Sequence, residues 1–130
     1  MLSETKESGV AITKVHRVLL VTMQPDLDDA QLQHLNILLG ERVTEEKPIA
    51  VVLDFSTVEL LSLSEYERIH AMLLALRLLG AQVGISSLCS EIVIYLAEVD
   101  AASPEIRFFL SLEDAMHYFA PEGDRSHGGQ

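Results

Sequence analysis

Residues 50–80, AVVLDFSTVELLSLSEYERIHAMLLALRLLG, decide the fold. The run Ala50 to Leu53 is apolar throughout, rich in β-branched side chains and too short for a helix, which predicts a buried strand. Asp54 ends it. A second short apolar patch, Val58 to Leu61, follows, and Ser62-Leu63-Ser64 leads on from it. Ser64 and Glu67 have capping-box spacing, in which a hydroxyl accepts from a backbone N–H three residues on and the glutamate reaches back, so a helix is expected from Ser64 to Leu79. Ile69, Met72, Leu73, Leu76 and Leu79 would form its buried face. Gly80 stands where a left-handed C-terminal cap is wanted. Strand, polar turn, helix and glycine stop make half of a βαβ unit.

Working outward, Val10–Thr13 and Val18–Met23 flank Lys14-Val15-His16-Arg17 as an expected N-terminal hairpin. Asp26, Asp28 and Asp29 place negative charge where a helix macrodipole favours it, and Leu32, Leu35, Leu38, Leu39 and Val43 continue a helix from about Asp28 to Val43. Downstream of Gly80 a strand is expected over Gln82–Ile85. A shorter helix follows over Ser90–Glu98, with Ile92, Val93 and Leu96 inward. A last or edge strand spans Ile106–Leu110, and a short final helix spans Leu112–Phe119 behind a Ser111/Asp114 cap. Residues 1–9 and 120–130 are polar and expected to be disordered, leaving one domain over 10–119. The alternation predicts an α/β fold: a mixed, mostly parallel sheet with an N-terminal hairpin and about four helices. Function in such folds gathers at the carboxyl ends of the parallel strands, here Asp54–Ser64 and Ser86–Ser90.

The chain has 130 residues and a formal net charge of -11, which disfavours nucleic acid and anionic membrane surfaces as partners. A single cysteine, Cys89, forbids an internal disulfide and fits a reducing compartment. No apolar stretch approaches the ~20 residues of a membrane span, and the N-terminus lacks signal-peptide character, so a cytoplasmic location is expected.

Several residue groupings suggest chemistry, and each has a plainer reading beside it. Asp26, Asp28, Asp29 and Asp54 suggest a phospho-acceptor site, but Lys6, Lys14 and Lys47 are the only lysines and none follows Asp54. Helix-start and strand-end acids explain them better. The five histidines show no metal-ligand spacing, no glycine-rich phosphate loop exists, and Cys89 has no legible acid–base partner, so no metal, cofactor or catalytic residue is expected. Ser62 and Ser64 read first as turn and cap residues. A hydroxyl at a helix N-terminus is also a favourable phosphorylation point, since a dianion there meets the positive helix end.

On VVLDFSTVELLSLS, the helix after it and LRLLGAQV, the chain resembles a STAS domain, the SpoIIAA-like fold of bacterial anti-sigma factor antagonists. VHRVLLVTMQPDLDDAQLQHL is similar, more narrowly, to the small single-domain RsbS type of the stressosome. The resemblance spans roughly Val10 to Phe119. It implies a non-enzymatic signal-transduction module whose loop and helix over 54–79 dock STAS-domain proteins and a switch serine kinase or anti-sigma factor, or further copies of itself. The residues it marks for partner binding or phosphorylation are Asp54, Ser56, Ser62, Leu63, Ser64, Glu65 and Arg68. In one respect the chain departs from the family. Ser62-Leu63 stands where the family has Asp-Ser, so the phosphorylated position is a leucine. Either the modification has moved to Ser62 or Ser64, or the domain does not switch by phosphorylation. A second reading is a sensor holding a nucleotide or lipid near Asp54, Ser62 and Ser86.

Overall fold

A computed structural model describes residues 3–7, 10–99 and 104–121. Six strands form one sheet in the order β1 (Ser3–Glu7), β2 (Val10–Val15), β3 (Val18–Thr22), β4 (Ala50–Asp54), β5 (Gln82–Ser86) and β6 (Arg107–Phe109). The first three strands pair antiparallel, and β3 to β6 pair parallel. Helices α1 (Asp29–Glu46), α2 (Leu63–Leu78) and α3 (Ser90–Glu98) make the crossovers, and α4 (Leu112–Phe119) ends the domain. The mixed sheet, hairpin and four helices are those expected.

Alternation along the strands divides the core between the two faces of the sheet. Leu19, Val21, Val51, Leu53, Val83 and Ile85 pack under α1, α2 and α3. Val18, Ala50 and Val52 pack under Ala115 and Phe119 of α4. This is why every residue of β4 is buried and why its sequence does not alternate. Removing one such side chain, as in Leu53→Ala, costs about 2–5 kcal/mol.

Four details differ from the expectations. Ser3–Glu7, within the segment expected to be disordered, forms β1 against β2. Its pairing is made by the backbone and leaves no apolar signature in SETKE. The capping box of α2 is Ser62 with Glu65 rather than Ser64 with Glu67, which starts the helix one residue early. Leu79 is the C-cap of α2 and half exposed. The chain leaves the helix there through two hydrogen bonds, Gly80 N–H to Arg77 O and Ala81 N–H to Leu76 O, with Gly80 at φ +108°. Val93 faces outward, since in the nine residues of α3 only Ile92 and Leu96 reach the core. The proposed tail beyond Pro121 lies outside the described residues. Among those residues, no helix is long and apolar enough to cross a membrane.

Candidate functional site

The carboxyl ends of β4 and β5 meet at Asp54, which is 5 % exposed. A buried carboxylate is costly unless hydrogen-bonded, and this one is well supplied. Its Oδ1 accepts from Ser86 Oγ at 2.7 Å and its Oδ2 from Ser56 Oγ at 2.7 Å and Ser56 N–H at 3.3 Å. Burial pushes the Asp54 carboxyl up, but the hydroxyls of Ser56, Ser86 and Ser87 and the Ser56 N–H together outweigh it. The net result is a group held below the ordinary aspartate value. Asp54 is therefore an ionised strut, with both oxygens occupied.

The loop that follows is fastened on several sides. Phe55 N–H donates to Ser86 O (2.9 Å), Met23 N–H to Asp54 O (2.9 Å), and Thr57 Oγ1 to Met23 O (3.1 Å). Phe55 and Val58 are buried beneath it. Ser56, Thr57, Glu59 and Leu60 are left outward, Leu60 at 87 % exposure. Leu60 rims a shallow crevice that runs between the loop and the start of α1 past Asp26, Leu27, Leu61 and Glu65.

At the head of α2, Ser62 Oγ accepts from Glu65 N–H (3.0 Å) while Glu65 Oε1 accepts from Ser62 N–H (2.9 Å). Both side chains are thus engaged in the cap, which contributes about 0.5–2 kcal/mol. Leu63 is half-buried at the first helical position and Ser64 exposed at the second. One turn on, the Arg68 guanidinium pairs with the Asp29 carboxylate and donates to the Asp29 carbonyl (3.3 Å), tying α2 to the start of α1. Arg68 also lines a groove of about 240 Å³ between these helices with Leu32, Gln33, Asn36, Ile69 and Met72.

The marked residues thus fall into two groups. Asp54 and Ser56 form a hydrogen-bonded core with Ser86, and Ser62, Leu63, Ser64, Glu65 and Arg68 form a helix-head surface. Ser86 donates to Asp54, whereas Ser62 Oγ accepts in its cap and its O–H is not used there. The acids upstream have separate duties: Asp28 caps α1 in a box with Gln31, and Asp29 holds Arg68. Among the described residues no group of three His, Cys, Asp or Glu side chains could hold a metal ion. Cys89 is the N-cap of α3 and its Sγ donates to Glu59 O at 3.7 Å, linking helix to loop. Sequence reasoning missed Leu60. Its signal was present in the apolar patch Val58–Leu61, but only the burial of Phe55 and Val58 decides which leucine faces water.

No protein-family profile matches the chain, and no curated protein is significantly similar to it. Solved structures are. A variant of RsbS from Moorella thermoacetica superposes with a TM-score of 0.73 at 19 % identity, over 85 % of this chain and 93 % of that one. A Thermotoga maritima protein described as an anti-sigma factor antagonist gives 0.64 at 15 % identity, over 83 % and 92 %. The anti-sigma factor antagonist SpoIIAA in its unphosphorylated form gives 0.59 at 9 % identity, over 98 % and 99 %. The sheet order, the hairpin and the fastened loop before α2 are set in the fold of a STAS domain.

Proposed function

We propose that this chain is a non-enzymatic interaction module of the anti-sigma factor antagonist type. In this reading it is part of a stressosome-like assembly and docks STAS-domain proteins and a switch serine kinase or anti-sigma factor through the loop and helix over 54–79. The observation that carries the reading is Leu60, a large apolar side chain held 87 % exposed on a loop fastened from beneath. Exposed Asp26, Asp28, Asp29, Glu59 and Glu67 stand on the same loop and the adjoining helix heads. An apolar centre with an acidic rim suits a partner offering an apolar pocket ringed by Lys and Arg. Leu63 cannot accept phosphate, and the Ser62 hydroxyl is engaged in the cap. In this reading docking is constitutive and not switched at the Leu63 position, and exposed Ser64 is the hydroxyl that the test below must probe.

The test combines size-exclusion chromatography with intact-mass analysis after incubation with the switch kinase of the same cell and ATP. The expected result is co-elution without a gain of phosphate, and at least about a tenfold loss of affinity in Leu60→Asp, as for a central interface residue. A phosphate that disappears in Ser62→Ala or Ser64→Ala would refute the constitutive form. No binding to the kinase or to any STAS protein would refute the docking role.

A further inference from the structure

The amino-terminal end of the parallel sheet, opposite the loop over 54–79, holds an open cavity of about 510 Å³. The β2–β3 turn, the passage from α1 into β4 and the turn from α2 into β5 build its walls. Ile49 N–H donates to Arg17 O at 2.7 Å and Gln82 N–H to Ile49 O at 2.9 Å, so these connections are laced together before any ligand arrives. The volume falls within the roughly 300–1,000 Å³ usual for small-molecule sites. Val43, Pro48, Ile49 and Leu79 make part of the lining apolar, and Arg17 and Lys47 bring two cations to the rest.

Those cations depart from the pattern of the chain. With 20 acidic and 9 basic side chains, a basic group here readily finds an acid: Lys14 and Arg42 pair with Glu46, and Arg68 with Asp29. Among the described residues Arg17 and Lys47 have no carboxylate partner, and no acid lines the cavity. The Arg17 guanidinium donates to Lys47 O at 3.3 Å, which leaves most of its N–H donors open. Both cations issue from left-handed backbone, His16 at φ 57° ahead of Arg17 and Lys47 itself at φ 51°. Glycine or asparagine takes that conformation more cheaply, so the backbone at 47 does not ask for a lysine. The carboxyl end of α1 would oppose an anion, but Lys47 N–H closes on Val43 O and the guanidinium covers Lys47 O.

We propose that this cavity binds a small organic monoanion, a carboxylate with an apolar body. The carboxylate sits between the Arg17 guanidinium, whose planar fork matches it, and the Lys47 ammonium. The body lies along Val43, Ile49 and Leu79, where it sheds water. Net charge sets the class of ligand. At -11 the molecule repels polyphosphates and acidic macromolecules at long range, whereas a single negative charge meets little of that field and gains both the local pair and the apolar contact.

The probe is hexanoate, titrated to about 20 mM at constant ionic strength into the isotope-labelled full chain, with backbone amide shifts as the readout. Acetate supplies the charge without the body, and hexan-1-ol the body without the charge. The expected result is saturable movement of the Arg17, Lys47, Ile49 and Gly80 amides with a dissociation constant below about 5 mM, and binding of acetate and hexan-1-ol at least about tenfold weaker. The double variant Arg17→Gln/Lys47→Asn should bind hexanoate at least about tenfold more weakly, asparagine being chosen because it tolerates the left-handed backbone. Leu79→Gln, at a side chain 51 % exposed, should weaken hexanoate and leave acetate unchanged. A thermal melt and unmoved amides away from the cavity verify that each variant is folded. Absence of saturable shifts at these amides, hexan-1-ol binding as tightly as hexanoate, or unchanged hexanoate affinity in the double variant would each overturn the proposal.

Discussion

Replacing Ser86 by alanine isolates the strut between β4 and β5. The Ser86 side chain is fully buried, and its hydroxyl donates at 2.7 Å to the Asp54 carboxylate. Removing it leaves one carboxylate oxygen short of a charge-assisted bond where water is excluded, a loss of about 1.5–3 kcal/mol at neutral pH. For a domain of this size that corresponds to a fall in Tm of roughly 5–10 °C. The sign of the pH dependence follows from Asp54. Its folded-state value is depressed by the serine donors. Its stabilisation is therefore complete above the unfolded aspartate value of about 4 and is lost as pH falls through the lower folded value. The bond from Ser86 favours the ionised form, so the gap between wild type and Ser86→Ala should be full at pH 7 and shrink below pH ~4. Urea unfolding followed by circular dichroism at several pH values measures it. A gap under about 0.5 kcal/mol at pH 7, within the range of an ordinary surface substitution, would refute the strut. So would a gap equally wide at the acid end.

Other substitutions probe separate claims. Ser62→Ala should cost about 0.5–2 kcal/mol and Ser64→Ala less than about 0.5, the reverse order contradicting the assignment of the cap. Gly84→Ala would bring a Cβ within 3.0 Å of the Phe109 ring and 3.1 Å of the Phe119 ring, so a loss of about 1–3 kcal/mol is expected in thermal or urea unfolding. Gly40→Ala, with nothing within 4 Å of the added Cβ inside α1, should instead stabilise by about 0.5–1 kcal/mol in the same assay. Arg68→Ala removes an ion pair whose Asp29 partner is 90 % exposed. Less than about 1 kcal/mol should be lost, and still less in high salt.

Where the sequence spoke clearly, it did so through burial. Val51, Val52 and Leu53 announce a strand covered on both faces, and Leu32, Leu35, Leu39 and Val43 a helix with one inward stripe. Where local chemistry was degenerate, it did not choose. Ser62/Glu65 and Ser64/Glu67 have the same spacing, and the pinning of Phe55 and Val58 selects the first. Ile92-Val93-Ile94 are alike in composition, and only the packing of a two-turn helix separates Ile92 from its neighbours. Asp54 was legible as a strand-end acid, but its donor Ser86 lies 32 residues away and becomes a neighbour only through the register of β4 with β5. Strand β1 was invisible for a related reason, because backbone pairing has no side-chain pattern.

The fastening of the loop over Phe55 to Leu61 bears on the thermodynamics of docking. A flexible segment loses about 1–2 kcal/mol of backbone conformational freedom per residue when a partner immobilises it. Here Phe55 is held by Ser86, Thr57 by Met23 and Glu59 by Cys89 before any partner arrives. That ordering entropy is already lost on folding, and little of it is left to oppose association. Binding through Leu60 should therefore have the signature of a preorganised surface: a negative heat-capacity change from apolar burial, without the large entropic penalty of coupled folding.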